Sequence, residues 1–265
     1  MIKINNHPVS VNRFPDGTFL IKKNIVPVYE YGVRITWLFE SNEEMISLMY
    51  LVKHLNSHGI TDISLKMPYI PNARFDRVKH QEEVFTLKYF AEFINSMNFK
   101  KVEVLDPHSY VSEALINNIK VETPKDIVNA LMEQKFGKTN IMFYPDEGAC
   151  KRYSSMFNLP YVFGIKKRDW RTGEIQGLDI AGQVDMIKGQ NVLIVDDICS
   201  RGGTFYHSAK KLKELGANNI YLYISHCENT ILEGDLLDSG LIEKVFTTNS
   251  IFTKEHEKIE VLNYA

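Results

Sequence analysis

The stretch from Asn191 to Thr204 constrains this chain more than any other. Val192-Leu193-Ile194-Val195 is an unbroken apolar run, which reads as a strand buried on both faces of a parallel sheet. Two adjacent carboxylates, Asp196 and Asp197, follow it, and then the loop Ser200-Arg201-Gly202-Gly203-Thr204. A helical pattern opens at about Thr204, with Ala209, Leu212 and Leu215 at helical spacing and Gly216 as its stop. Parallel sheets bind ligands outside the carboxyl ends of their strands, where this loop falls. Gly202 and Gly203 let backbone N–H groups approach an anion, and a helix N-terminus adds partial positive charge. Carboxylates do not bind phosphate, so Asp196 and Asp197 suit sugar hydroxyls or a metal ion beside it. A phosphorylated ribose satisfies both halves. An ordinary strand-turn-helix corner, with its Asp caps and Gly turns, is the bland alternative. No Lys follows the glycines, so this is not a P-loop.

Composition sets outer bounds. A chain of 265 residues has room for one large or two ordinary α/β domains. A net charge of −2 gives no reason to expect a nucleic-acid partner. The cysteines Cys150, Cys199 and Cys227 lack metal spacing, which suggests a reducing compartment without disulfides. Cys199, inside the loop region, reads as a small buried filler rather than a nucleophile. Neither a signal peptide nor an apolar run of membrane length is evident, so a cytoplasmic protein with no membrane partner is expected.

Along the chain, residues 3 to 40 read as short strands and hairpins, with Pro15-Asp16-Gly17 as a turn. A helix from about Ser41 buries Met45, Leu48, Met49, Val52 and Leu55 and stops at Gly59. Strand Ile63–Tyr69 leads into Arg74-Phe75-Asp76-Arg77. Two guanidinium groups near one carboxylate suit either a polyphosphate or a solvated ion-pair cluster. A helix from about Gln81 to Met97 buries Val84, Leu87, Ala91 and Ile94, and strand Val102–Leu105 ends in Asp106-Pro107-His108. A lone His is usually structural, but its place past a strand end raises the ligand or metal reading. After a linker at 121–126 come helix Asp126–Gln134, strand Asn140–Tyr144, Pro145-Asp146-Glu147-Gly148, and strand Tyr161–Ile165 running into Lys166-Lys167-Arg168. The polar stretch Asp169–Ile180 reads as a mobile segment.

Five separated segments now resemble one family in order: Phe14-Pro15-Asp16-Gly17, Arg74-Phe75-Asp76-Arg77, Asp106-Pro107-His108, Pro145-Asp146-Glu147-Gly148 and the loop from Asp196 to Thr204. They are similar to ribose-phosphate diphosphokinases (PRPP synthetases), and Lys166-Lys167-Arg168 resembles that family's catalytic flexible loop. A plain phosphoribosyltransferase would share the last loop but not the first three segments. The resemblance implies an α/β fold of two type I phosphoribosyltransferase-like domains, each a mostly parallel sheet flanked by helices. The expected division is 1–122, 123–250 and a tail, 251–265. It further implies ATP as co-substrate, Mg²⁺ and a homo-oligomer. Phe14 and Asp16 would be adenine-side contacts, and Arg74, Phe75, Asp76, Arg77 and His108 would complete the ATP site. His108, Asp146 and Asp196 would surround metal. Lys166 and Arg168 would brace the diphosphate in transfer. Asp196 and Asp197 would hold the ribose hydroxyls, and Ser200, Arg201, Gly202, Gly203 and Thr204 the acceptor's 5-phosphate, across a cleft from the ATP half.

The chain also departs from the family. The strand-helix unit that ordinarily precedes Phe14 and the terminal helix are absent. Phe75 stands where Gln is usual, and Thr18 replaces an acidic residue. The acceptor loop, ordinarily Asp-Thr-Ala-Gly-Thr, is here Ser200-Arg201-Gly202-Gly203-Thr204. That change adds positive charge, which fits an acceptor with more phosphate at its 5 position, such as ADP-ribose. The alternative is that Arg201 points to solvent or pairs with a carboxylate. A catalytically silent, nucleotide-binding homologue is a further reading, against which the retained Lys166, Arg168 and paired aspartates argue.

Overall fold

Two sheets of seven strands organise the described residues. The computed structural model describes residues 1–23, 32–134, 141–168 and 175–265, with only the backbone of Lys23, Lys166, Lys167, Arg168, Ile175 and Gln176. The chain divides into a unit of Met1–Thr123 and a unit of Pro124–Tyr264.

In the first unit, β1 (Ile2–Ile4), β2 (His7–Arg13), β3 (Phe19–Lys23) and β4 (Val33–Trp37) form the antiparallel part of the sheet. From β4 the sheet continues in parallel through β5 (Ile63–Lys66), β6 (Lys101–Leu105) and β7 (Ile119–Glu122). Helices α1 (Glu44–Ser57), α2 (Thr86–Asn95) and α3 (Val111–Leu115) connect the parallel strands. The strands alternate: Val33, Ile35 and Trp37 enter the core with Ile63, Leu65, Val102 and Val104 and the buried faces of α1 and α2. The other sheet face carries Arg34 and Lys101, which pair with Glu103 at 2.5 Å each. A sheet with one apolar and one polar face needs this period of two.

Helix α1 begins at Glu44, later than the expected Ser41. The Glu44 carboxylate accepts the Trp37 indole N–H at 2.9 Å and the Glu40 N–H at 2.8 Å, which ties the helix start to β4. Gly59 follows the helix at φ +79°, a left-handed stop that favours glycine. Helix α2 also starts later than the pattern implied. Val84, expected in its buried face, is 60% exposed, because the chain from Gln81 to Phe85 is not helical.

The second unit contains α4 (Lys125–Gln134), β8 (Ile141–Tyr144), α5 (Glu147–Tyr153), β9 (Tyr161–Arg168), β10 (Ile175–Gly182), β11 (Val192–Cys199), α6 (Gly203–Glu214), β12 (Ile220–Cys227), β13 (Lys244–Thr248) and β14 (Ile259–Leu262). Strand order is β10-β9-β8-β11-β12-β13-β14, parallel except for the β9–β10 hairpin. Here both faces are covered. Ile141, Phe143, Val192 and Ile194 pack with α6 on one side, while Met142, Tyr144, Leu193 and Val195 pack with α4 and α5 on the other. Double burial is why these strands read as continuous apolar runs.

Two expectations are corrected here. The stretch Asp169–Ile180, expected as a mobile segment, is strand from Ile175 onward, where β10 pairs antiparallel with β9, while 169–174 lie outside the described residues. Residues 251–265 are not a free tail, because β14 pairs in parallel with β13.

Candidate active site

In the second unit the chain leaves β8 for β9 on one side and returns as β11 on the other. The carboxyl ends of β8 and β11 therefore frame the crevice of a topological switch point. Asp146 follows β8, and Asp196 and Asp197 lie in the carboxyl-terminal half of β11. Strand β11 runs further than its apolar run suggested. Its ladder with β12 extends to Cys199 opposite Cys227, so the two aspartates lie within the strand and not after it. Cys199 is buried, and its hydrogen bond to Cys227, with burial, pushes its thiol well above the ordinary range, which fits a filler and not a nucleophile.

Three acidic side chains and one cation meet here. Asp146 caps α5, its carboxylate accepting the Ala149 N–H at 3.0 Å. From the last turn of the same helix, Arg152 donates to Asp197 Oδ1 at 2.7 Å and to Asp196 Oδ1 at 3.3 Å. The Asp197 N–H donates to Asp196 Oδ1 at 3.0 Å. Burial, the neighbouring Asp197 charge and, more weakly, Asp146 hold the Asp196 carboxyl well above its ordinary pKa, against the pull of Arg152. One guanidinium faces more negative charge than it neutralises.

A carboxyl raised by folding costs stability wherever the unfolded state would ionise it, and that cost disappears as pH falls through the ordinary carboxylate range. Asp196→Asn is therefore expected to raise the melting temperature of the metal-free protein at neutral pH, with the gain shrinking toward about pH 4. A lower melting temperature at neutral pH would contradict the strain. Sequence reading missed Arg152. An Arg in a last helical turn is ordinarily explained by the helix dipole, and its position on the helix leaving a site strand was the only signal.

The loop after β11 turns at Gly202, where φ is +79°, a conformation glycine adopts without strain. Helix α6 starts at Gly203, and Gly202 supplies no side-chain cap, leaving first-turn amides as donors. A Cβ at Gly203 would meet nothing within 4 Å, so that backbone borders open space. Arg201 is 73% exposed on its side chain and pairs with Glu233 at 3.0 Å. A Cβ at Gly234 would collide with the Arg201 carbonyl oxygen. Gly234→Ala is thus expected to displace the loop at a cost of about 1–3 kcal/mol, measured as a drop in melting temperature. No loss of stability would show that the segment yields freely.

The expected ATP-side residues lie in the first unit. Phe14 is half exposed at the tip between β2 and β3, and the Asp16 carboxylate closes its own turn, accepting the Thr18 N–H at 3.0 Å and hydroxyl at 2.7 Å. Those bonds, backbone first, pull the Asp16 pKa below its ordinary value. Arg74 and Arg77 are exposed, Phe75 and Asp76 half-buried, and Arg77 Nε lies 4.0 Å from Asp76. His108 follows Asp106, whose φ of +41° turns the chain past β6.

Lys166 and Arg168 belong to β9, with Lys166 opposite Leu178 and Arg168 opposite Ile175; their side chains lie outside the described residues. Of the expected metal-side residues, His108 belongs to the first unit and Asp146 and Asp196 to the second; among the described residues no three His, Cys, Asp or Glu side chains are grouped to hold a metal ion. Asp146 and Asp196 alone still fit Mg²⁺, which takes one or two carboxylates and completes its shell with water and phosphate. Among the described residues no helix is long and apolar enough to cross a membrane.

A switch-point crevice with paired strand-end acids and a glycine turn opening a helix defines the type I phosphoribosyltransferase class of α/β fold. Over the whole chain the same architecture recurs in phosphoribosylpyrophosphate synthetase from Mycobacterium smegmatis, with a TM-score of 0.77 at 17% identity, covering 96% of this chain and 85% of that one. No family model matches the sequence. Ribose-phosphate pyrophosphokinase 1 of Listeria monocytogenes is 28% identical over 97% of this chain and 82% of its own length. Ribose-phosphate pyrophosphokinase of Pyrococcus abyssi is 29% identical over 97% of this chain and 88% of its own. Over nearly its whole length the chain is thus similar to ribose-phosphate pyrophosphokinases.

Proposed function

We propose that this protein transfers the β,γ-diphosphate of ATP to the anomeric 1-hydroxyl of ribose 5-phosphate, releasing AMP. The observation that carries this reading is the pairing, within one unit, of the Asp196–Asp197–Arg152 cluster with the open glycine turn at the start of α6. Amides at the α6 N-terminus and the Thr204 hydroxyl would bind the 5-phosphate. The aspartates would accept hydrogen bonds from ribose hydroxyls, and Arg152 fixes their orientation.

Arg74 and Arg77 would take the ATP phosphates, with Phe75 and Asp76 beside them and Phe14 and Asp16 on the adenine side. Lys166 and Arg168 would neutralise charge on the diphosphate as the bond to AMP breaks. Such a transfer asks little covalent work of the protein, so positioning and charge neutralisation carry the rate. Bound through Asp146 and Asp196, Mg²⁺ would supply charge neutralisation at the phosphates.

A second acceptor is favoured by Arg201. Its pair with Glu233 is exposed on both sides, and such pairs contribute only about 0–1 kcal/mol. The guanidinium is thus available to a second phosphate, as in ADP-ribose. The experiment mixes the protein with ATP, Mg²⁺ and each acceptor and follows AMP release. Release with ribose 5-phosphate supports the main reading, and release with ADP-ribose alone replaces it with the second. No release with either would refute both.

A further inference from the structure

One segment, 228–236, brackets the loop from Ser200 to Gly203. Because β11 and β12 remain in register to Cys199 and Cys227, the next residues along each strand, Ser200 and Glu228, become neighbours. The Glu228 N–H continues the ladder, donating to the Cys199 carbonyl at 2.8 Å. The Ser200 hydroxyl then donates to Glu228 Oε2 at 2.8 Å, and the Thr230 hydroxyl donates to the same oxygen at 3.2 Å. Further on, Glu233 holds Arg201, while Gly234 and Leu236 press against the backbone of Arg201 and Gly202.

This arrangement has two chemical consequences. A hydroxyl carries one proton. With that proton directed to Glu228, the Ser200 hydroxyl does not donate to an anion over the loop, which would be held by backbone amides, those at the start of α6 among them, and by Thr204. The Glu228 carboxylate, one hydrogen bond removed from the loop, opposes an approaching phosphate through its charge. Anchor and repulsion reside in the same side chain.

We infer that Glu228 is a positioning residue that sets the loop's affinity for the acceptor phosphate: it fixes Ser200 and, by its charge, holds phosphate binding below what the amides alone would give. The inference rests on reading the loop as the acceptor-phosphate site. Inorganic phosphate, titrated calorimetrically into the full chain, tests it without any chemistry.

Glu228→Gln keeps an oxygen for Ser200 and Thr230 but removes the charge, and is expected to bind phosphate about tenfold more tightly than the wild type. Glu228→Ala also loses the anchor, and is expected to bind about tenfold more weakly than Glu228→Gln. In turnover assays the acceptor KM follows the same order while the ATP KM stays constant, a split that a merely structural role would not produce. Equal phosphate affinity in all three proteins overturns the role of Glu228 and leaves the loop reading standing. No phosphate binding by the wild type overturns the loop reading, and the inference with it.

Discussion

Arg152→Ala is expected to destabilise the second unit by about 3–5 kcal/mol, the range found when one partner of a buried ion pair is removed. The side chains of Arg152, Asp196 and Asp197 are only 15%, 14% and 4% exposed. Solvent screening is therefore weak, and the usual discount for surface pairs does not apply. Without the guanidinium, two adjacent carboxylates stay buried against each other and against Asp146. They must then ionise unfavourably or take up a proton. In a unit of this size each kcal/mol lowers the melting temperature by roughly 2–4 °C, so a fall of about 10 °C is expected in thermal denaturation.

The same reasoning fixes the control. Adding Asp196→Asn to Arg152→Ala relieves the repulsion and should recover part of the loss, which pure additivity would not predict. A loss below about 1 kcal/mol for Arg152→Ala would mean that water already solvates the aspartates.

The second large effect falls on turnover. Lys166→Ala and Arg168→Ala are each expected to lower kcat on the order of a hundredfold, by analogy with removal of a single donor from an oxyanion site. Both residues sit on β9, in the hairpin that β10 completes. Cations placed there would act on charge that develops only as the diphosphate changes partners, so kcat should fall more than the KM for either substrate. Near-normal turnover with both residues changed would remove them from the mechanism.

The sequence was legible wherever local physics decides. The run Val192–Val195 announced a doubly covered strand, and β8 and β11 have helices on both faces. Pro15-Asp16-Gly17 announced a turn, and Gly17 sits there at φ +85°. Gly202 marked the loop before α6, with its left-handed φ. Boundaries were less legible. Strand β11 is prolonged through Asp196 and Asp197 by the ladder it makes with β12, a property of the neighbour and not of the strand. Val84 fits a helical face by spacing yet lies outside α2, because periodicity does not say where a helix must begin.

By itself, then, the sequence determined the strand-loop-helix unit, its paired acids and its glycine turn, since runs, periods and turn residues act over a few neighbouring positions. Only the tertiary structure decided which groups those acids and that turn would meet. Arg152 reaches Asp197 from 45 positions away, and Glu228 reaches Ser200 from 28. Sheet order and strand register bring them there, and neither is written in any local stretch of chain, because both depend on which strands become neighbours once two hydrophobic faces are covered.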